Sequence, residues 1–330
     1  MAPWGRSVLV TGGSGSFGRA CIRTLLALDP AVEIVSVSRN AEARYRLEAA
    51  CPTPRLTVVP GDVRVPADLA RAFDRQVDTV IHAAAEKHVG TGERYAAYTE
   101  AINFLGAKHV WQAAHAAGAT KLLALSTDKA CLPETFYGET KAAAERWLLS
   151  KHDPWLLRCS VVRYGNVAAS SGSVIPLFLQ QKHQGVLTVT DRRMSRFWMP
   201  LSDDADVQLF QEPGALCVMS AVRWVLLALE HMRGGEIFVP EIPGATVETL
   251  ARAIAPDARV VEIGVRPGEK LTEDLISPEE GAHCYRVPFG GWAVVPEGYP
   301  APAEWTKAAA GFCYRSDQAH QPIRLGEAVA

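Results

Sequence analysis

Apolar and polar positions in the first half of the chain fall into two alternating textures. Short runs dominated by apolar residues, at Ser7–Val10, Glu33–Ser38, Leu56–Val59, Thr79–Ala83, Lys121–Ser126 and Trp155–Tyr164, read as strands. Longer Ala-, Leu- and Arg-rich stretches between them, such as Arg19–Leu28, Ala67–Phe73 and Leu105–Ala117, read as helices, and Gln112–Gly118 is an Ala-rich helix end. Strands alternating with helices predict βαβ units, hence an α/β fold with a Rossmann-like, doubly wound parallel sheet.

After Gly165 the texture changes to loops rich in Pro, Gly and Trp with shorter elements. We expect residues 1–165 to form a dinucleotide-binding domain. Residues 166–330 are expected to form a smaller, mainly substrate-binding part, with some segments returning to the first domain. Ligands of such sheets sit at the carboxyl ends of the strands. Residues 204–220, containing Gln-Glu-Pro-Gly, read as an inserted loop that is exposed or makes an assembly contact. No internal repeat or disordered linker is evident.

Composition narrows the classes. The 330 residues are 48 % hydrophobic and 21 % charged, as in a globular protein with a substantial core. A formal net charge of −2 speaks against a dedicated nucleic-acid binder. No apolar window is long enough for a membrane span, and the opening residues lack the charged and apolar regions of a secretory signal. The seven cysteines show no C-x-x-C spacing, so reduced thiols in the cytoplasm are expected rather than a metal site or a disulfide framework.

Thr11-Gly-Gly-Ser-Gly-Ser-Phe-Gly18 follows the first strand and opens the first helix. Gly12 suits the tight turn, Gly15 a close approach of backbone to a pyrophosphate, and Gly18 close helix–strand packing. The helix N-terminus offers N–H groups and a positive dipole end to phosphates. At the end of the second strand, where an acidic residue would bind a ribose 2′-hydroxyl, stand Ser38-Arg39-Asn40. An arginine there pairs with a 2′-phosphate, so NADP is the expected cofactor; the bland alternative is a solvated loop arginine. Asp62, in Gly61-Asp62-Val63 after the third strand, is expected near the adenine amino group.

Ser126-Thr-Asp-Lys-Ala130 precedes Tyr137-Gly-Glu-Thr-Lys141, whose spacing puts Tyr137 and Lys141 on one helix face. A nearby ammonium and a nicotinamide cation would lower the tyrosine pKa toward that of a useful base, and Lys141 would also bond the nicotinamide ribose. Thr127 is expected to end the fifth strand beside them. Taken alone, Asp128 and Lys129 would read as a solvated loop ion pair.

These segments, with Val80–Val89, Val162–Val167, Ser171–Pro176, Thr190–Trp198, Gly235–Pro240 and Arg266–Lys270, resemble the extended short-chain dehydrogenase/reductases. Within them the chain looks like the UDP-N-acetylglucosamine 4,6-dehydratases, which include the inverting enzymes that begin pseudaminic acid synthesis. The resemblance implies oxidation at the sugar C4 by Tyr137 and Thr127, with Lys129 taking the C5 proton and Asp128 donating to the departing C6 hydroxyl. It implies cofactor contacts from Gly12, Gly15, Ser16, Phe17, Gly18, Ser38, Arg39, Asp62, Val63, Ala83, Tyr137, Lys141 and Val167. A UDP-sugar would be met by Lys87, Asn166, Ile175, Thr190, Arg193, Arg266 and Glu269, with Arg192 and Arg196 as alternatives to Arg193. No metal, nucleic acid or membrane partner is implied, and a homo-oligomer is.

Three departures bear on the sugar. Gly90–Arg94 replaces a stretch that usually starts with proline, and Tyr95-Ala96 stands where the family has Asn-Pro. Cys131-Leu132 replaces the usual pair after Asp-Lys, and the 204–220 loop is extra. A sugar-nucleotide 4-epimerase or 5,6-dehydratase on the same scaffold, and a non-catalytic NADP-binding sensor, are the competing readings. His82 and His88 read as structural.

Overall fold

The computed structural model describes residues 2–153, 155–168, 173–203, 209–210, 219–266, 268–319 and 324–325. The chain forms two compact units, each drawn from three stretches of sequence. Unit one comprises Met1–Val162, Val225–Phe238 and Val295–Tyr299; unit two comprises Arg163–Trp224, Val239–Val294 and Pro300–Ala330.

Unit one is built on β1 (Ser7–Thr11), β2 (Glu33–Ser38), β3 (Leu56–Pro60), β4 (Thr79–His82), β5 (Lys121–Leu125) and β6 (Arg158–Val162). They lie in the order β6-β5-β4-β1-β2-β3, all parallel, and Ile237 and Phe238 pair in parallel with Val161 and Val162. Every residue of β1, β4 and β5 is buried, which is why these runs are nearly continuous in apolar residues. The order reverses between β1 and β4. In such sheets that point opens a crevice at the strands' carboxyl ends.

The connections are α1 (Ser16–Leu28), α2 (Ala41–Ala50), α3 (Pro66–Ala72), α4 (Val89–Arg94), α5 (Ala96–Glu100), α6 (Gly106–Ala116) and α7 (Phe136–Ser150). In α1, Gly18, Cys21, Ile22 and Leu25 are buried, the three-and-four spacing of one helical face. The α/β architecture expected from the alternation is the one observed.

Two boundaries differ from the pattern. The apolar stretch Trp155–Tyr164 is strand only from Arg158 to Val162. The Asp153 carboxylate accepts from the Trp155 and Leu156 amides at 2.8 and 3.2 Å, which turns the chain and leaves Trp155 91 % exposed. A π-helical turn, Ala101–Leu105, precedes α6, so the expected run Leu105–Ala117 begins as helix one residue later, at Gly106.

Lys121 fastens the amino-terminal edge of unit one. Its ammonium donates to the carbonyls of Pro3 and Leu229 at 2.8 and 2.9 Å, the latter in the last turns of helix Ala221–His231. Glu236 anchors a second return: its carboxylate accepts from the Ser160 hydroxyl at 2.7 Å and the Gly234 amide at 2.8 Å.

Unit two packs around Phe178, Phe197, Trp198, Met199 and Trp224, all fully buried. Its strands form small sets: Asn166–Val167, Ser195–Met199 and Gly244–Thr246 together, Val186–Val189 beside Arg259–Glu262, and Asp274–Ile276 antiparallel to Tyr314–Arg315. Strand Cys284–Val287 pairs antiparallel with Gly291–Val294 and Thr306–Lys307. A polar knot lies inside. The Ser195 and Ser316 hydroxyls are 2.7 Å apart, Ser316 Oγ accepts from the Glu273 amide, and Glu273 pairs with the buried Arg196 at 3.7 Å. Of the expected 204–220 loop, Leu209–Phe210 forms a strand antiparallel to Arg324–Leu325, and Ser220 accepts from the Arg223 amide; 204–208 and 211–218 lie outside the described residues. So do Ser171 and Gly172 of the Ser171–Pro176 segment and Pro267 of Arg266–Lys270.

Candidate active site

The glycine turn bridges β1 and α1. Gly12 takes φ +69°, and a Cβ there would stand 2.9 Å from the Ala84 backbone, so glycine is required on both counts. The Gly12 amide donates to Val37 O at 2.8 Å and the Ser14 amide to Ser38 Oγ at 3.0 Å, which ties the turn to the end of β2. A Cβ at Gly18 would come within 2.5 Å of Gly12 O. Helix α1 starts at Ser16 with Gly15 as its cap and no side-chain acceptor, which leaves first-turn amides for an anion. This cradle fits a dinucleotide pyrophosphate.

Beyond β2, the Arg39 guanidinium donates to the Tyr98 hydroxyl at 2.9 Å and lies 3.8 Å from Asp62. Arg44 holds the backbone here, donating to Ser38 O and Arg39 O. Asp62 is engaged by Arg64 through both oxygens: Oδ2 accepts from Nη2 at 2.6 Å and Nε at 3.0 Å, and Oδ1 from Nε at 3.1 Å. Partial burial pushes the Asp62 carboxyl up, but bonds from Arg64 and the charges of Arg64 and Arg39 outweigh it and hold the group below the usual range. Arginine thus occupies the carboxylate that the sequence reading assigned to adenine. Val63 is buried against Gly106, and Ala83 follows β4 with its amide on Thr11 O.

After β5, Ser126 and Thr127 lead into a single 3-10 turn, Asp128–Ala130. The strand ends at Leu125, two residues short of Thr127. Thr127 Oγ1 accepts from the Lys129 amide at 3.3 Å and donates to Asp128 Oδ1 at 2.8 Å. Lys129 Nζ donates to the same oxygen at 3.0 Å. Asp128 is 1 % exposed, and its Oδ2 has no hydrogen-bond partner among the described residues.

Helix α7 supplies the other half. Thr135 caps it by accepting from the Gly138 amide at 3.1 Å. A side chain at 138 would collide with the Lys129 carbonyl oxygen, so Gly138 lets α7 lie directly on the Asp128–Ala130 turn. Tyr137 is thereby brought to Thr127, whose side chain hydrogen-bonds it. Burial pushes the Tyr137 phenol up to about 12, against the charge of Lys129 and the Thr127 bond.

Lys129 is a cation whose charge acts on Tyr137. The Lys141 ammonium is directed to Leu125 O, 2.6 Å away, and burial brings it down to about 8 against the pull of Glu145.

Asn103 was not legible as a site residue. It sits in the π turn, 1 % exposed, accepts from the Glu86 amide and donates to Glu86 O and Thr140 Oγ1, clamping the chain before Lys87 onto α7. A lone Asn in an apolar periodic run was its only signal. His82 and His88 are paired with Thr11 and Glu86, as the structural reading has it.

The remaining expected residues are in unit two. Arg193 is exposed and forks onto Asp191, whose carboxyl it holds down at about 2. Arg192 is committed to Glu248 and Val260 O, and Arg196 to Glu273 and Ser195 O, so Arg193 is the arginine of the three left at the surface. Thr190 donates to Met194 Sδ, and Arg266 pairs with Glu269 at 3.7 Å. Asn166 and Val167 form a half-buried strand. Ile175 is fully buried in the unit's core, so a ligand would meet its backbone rather than its side chain.

A family profile described as polysaccharide biosynthesis protein matches residues 8–213 and 215–289. The chain belongs to this family. Over 286 residues it is 38 % identical to a UDP-N-acetylglucosamine 4,6-dehydratase (inverting) of Campylobacter jejuni, covering 85 % of this chain and 80 % of that one. It is also 38 % identical to a UDP-glucose 4-epimerase of Rickettsia conorii, over 87 % of this chain and 84 % of the relative. Among solved structures, Pen from Bacillus thuringiensis superposes with a TM-score of 0.83 at 28 % identity, covering 97 % of this chain and 95 % of Pen. DesIV, a dTDP-glucose 4,6-dehydratase from Streptomyces venezuelae with NAD and TYD bound, gives 0.67 at 26 % identity, covering 80 % and 86 %. The Rossmann-like fold and the family expected from the sequence are thus both found. Among the described residues, no helix is long and apolar enough to cross a membrane.

Proposed function

We propose that the protein is an NADP-dependent UDP-N-acetylglucosamine 4,6-dehydratase giving a UDP-4-keto-6-deoxy sugar with inversion at C5. Relatives of both names are equally identical to this chain, so the choice rests on the site. One observation carries it: the Asp128–Lys129 pair, 3.0 Å apart, adjoining Thr127 and Tyr137. A 4-epimerase needs a base at the C4 hydroxyl and no acid–base pair for C5 and C6. A sensor needs neither.

Bound NADP would supply the acceptor for the C4 hydride and the donor of hydride to C6, so the cycle would be redox-neutral. Gly12, Gly15, Gly18 and the first amides of α1, at Ser16 and Phe17, would hold its pyrophosphate; Ser38 and Arg39 its 2′-phosphate; Asp62, Val63, Ala83 and Val167 its adenine and nicotinamide ends; Lys141 its ribose. Tyr137 takes the C4 hydroxyl proton. Tyr137 stands beside Thr127, whose hydroxyl donates to Asp128 and so links the base to the acid–base pair. The C4 ketone acidifies the C5 proton, which Lys129 removes while Asp128 protonates the departing C6 hydroxyl, and a proton is returned to C5 as C6 receives the hydride.

The pair supplies both forms by one shift. Moving a single proton from Lys129 to Asp128 across their hydrogen bond turns an ion pair into a neutral amine and a neutral acid. Exclusion of water favours the neutral form. Lys87, Asn166, Ile175, Thr190, Arg193, Arg266 and Glu269 are proposed to grip the UDP-sugar, the exposed arginines meeting its diphosphate. The six described cysteines are all free thiols, in keeping with a reducing cytoplasm. By likeness to its family we expect a homo-oligomer, which light scattering checks.

Incubation with UDP-N-acetylglucosamine, followed by mass and proton NMR analysis, tests the reading. The expected product is lighter by one water, with a C6 methyl and a C4 ketone. A C4 epimer with C6 intact would identify an epimerase, and no turnover would remove the enzyme reading.

A further inference from the structure

Unit one contains a small, mostly apolar cavity whose lining includes the polar side chains of His82, Ser126, Lys141 and Glu145. It has room for about one water molecule. Glu145 is 3 % exposed and Lys141 6 % exposed. A buried carboxylate stays ionised only beside a cation or strong donors. Lys141 stands one turn before Glu145 on α7, the spacing that puts two side chains on one helix face.

The cavity walls carry unspent polarity. His82 Nε2 and Ser126 Oγ are buried with no hydrogen-bond partner among the described residues. Thr11 Oγ1 accepts from the Ala84 amide at 3.2 Å and hydrogen-bonds His82 Nδ1 at 2.8 Å, which leaves His82 Nε2 facing the cavity. Burial, together with the Lys141 charge, holds His82 down at about 3, so the ring is neutral at working pH. A ring nitrogen, a hydroxyl, an ammonium and a carboxylate around one water-sized space are the partners a buried water requires.

We propose that Glu145, with the water this cavity holds, is the counter-charge that keeps Lys141 protonated, which makes it a positioning residue of the reaction. The inference rests on the role proposed above for Lys141. The other titratable groups facing Lys141 are His82 from β4, across the cavity, and Tyr137 one turn before it on its own helix; α6 and β6 present only Ala107 and Val161 to the cavity. Of these groups, Glu145 is the one whose charge opposes the burial of Lys141.

The sign of the effect follows. Lys141 must carry its proton to donate to a ribose hydroxyl, so function is lost as pH rises through its pKa. Replacing Glu145 by a neutral isostere removes the charge that raises that pKa, and the loss then begins at lower pH.

Two profiles against pH test this in the parent, Glu145→Gln and Glu145→Asp: turnover of the NADP-loaded enzyme, and NADP affinity by calorimetry. In Glu145→Gln the alkaline limb of both should move down by about one pH unit or more, with the acid limb unmoved. Glu145→Asp keeps the charge and should restore most of the shift, which a merely structural role would not produce. A Glu145→Gln limb that coincides with the parent's overturns the proposal. Should that variant not fold, Glu145→Ala takes its place: an alkaline limb moved down supports the idea, and a limb coincident with the parent's ends it. NADP affinity that shifts as predicted in Glu145→Gln, with a parent that does not turn over the sugar, sinks the dehydratase reading and leaves this inference standing.

Discussion

Arg39→Ala addresses the cofactor assignment most directly. The side chain is 42 % exposed and already donates to the Tyr98 hydroxyl. Engaging a 2′-phosphate therefore exchanges one bond for another. A hydrogen bond between ions is worth about 1.5–3 kcal/mol net and a neutral acceptor such as Tyr98 returns about 0.5–1.5, so the difference is about 1–2 kcal/mol. That corresponds to about 5- to 30-fold weaker NADP binding in the variant. NAD, which lacks the phosphate, should change by less than about twofold, within the error of such a difference.

Calorimetric titration of both cofactors at one ionic strength gives the two ratios, and a repeat at high salt should shrink the NADP effect, since the group is partly exposed. Tyr98→Phe is the control. It frees Arg39 from its present bond, so NADP should bind as well as to the parent or slightly better. Equal losses for NAD and NADP in Arg39→Ala would refute the argument, as would purification of the parent with NAD alone.

Three further variants probe the chemistry. Tyr137→Phe removes only the hydroxyl base, so it should fold, hold cofactor and lose about 10²- to 10⁴-fold in turnover; activity within a few-fold of the parent would remove Tyr137 from its role. Lys129→Ala should still reduce the cofactor in a single turnover but stall before water leaves, and the parent in heavy water should carry deuterium at C5. A product without that label, or normal dehydration by the variant, counts against Lys129 as the base. Gly138→Ala should press α7 off the catalytic turn at a cost of about 1–3 kcal/mol, lowering both the melting temperature and kcat while sparing NADP affinity; an unchanged kcat would mean the close approach does not set Tyr137.

Much of unit one was legible because its information is local. Central parallel strands are buried on both faces, so β1, β4 and β5 show as apolar runs, and the glycine turn and the Tyr137–Lys141 spacing are short-range patterns. What escaped depends on distant partners. Glu145 resembles any polar residue on a helix until β4 and β5 are placed beside it. Asp62 could be put near the adenine subsite, but not that Arg64, two residues on, would take its carboxylate. Nor could the chain order reveal that Arg192 and Arg196 are spent on Glu248 and Glu273, leaving Arg193 at the surface. The strand reading of Trp155–Tyr164 failed because hydrophobicity alone cannot register a side-chain cap such as that of Asp153.

The discontinuity of the two units bears on how the protein can be made. Synthesis delivers the six strands β1 to β6 first, yet Lys121 then lacks the Leu229 carbonyl and Ser160 lacks the Glu236 carboxylate that later chain supplies. A ribosome must add some seventy further residues before either partner emerges, so the nucleotide half cannot finish folding as an early, independent product. Truncation after Val162 should accordingly yield an aggregation-prone fragment with an uncovered edge at β6, whereas cutting between residues 204 and 220 and co-expressing both pieces tests whether chain continuity matters once all segments are present.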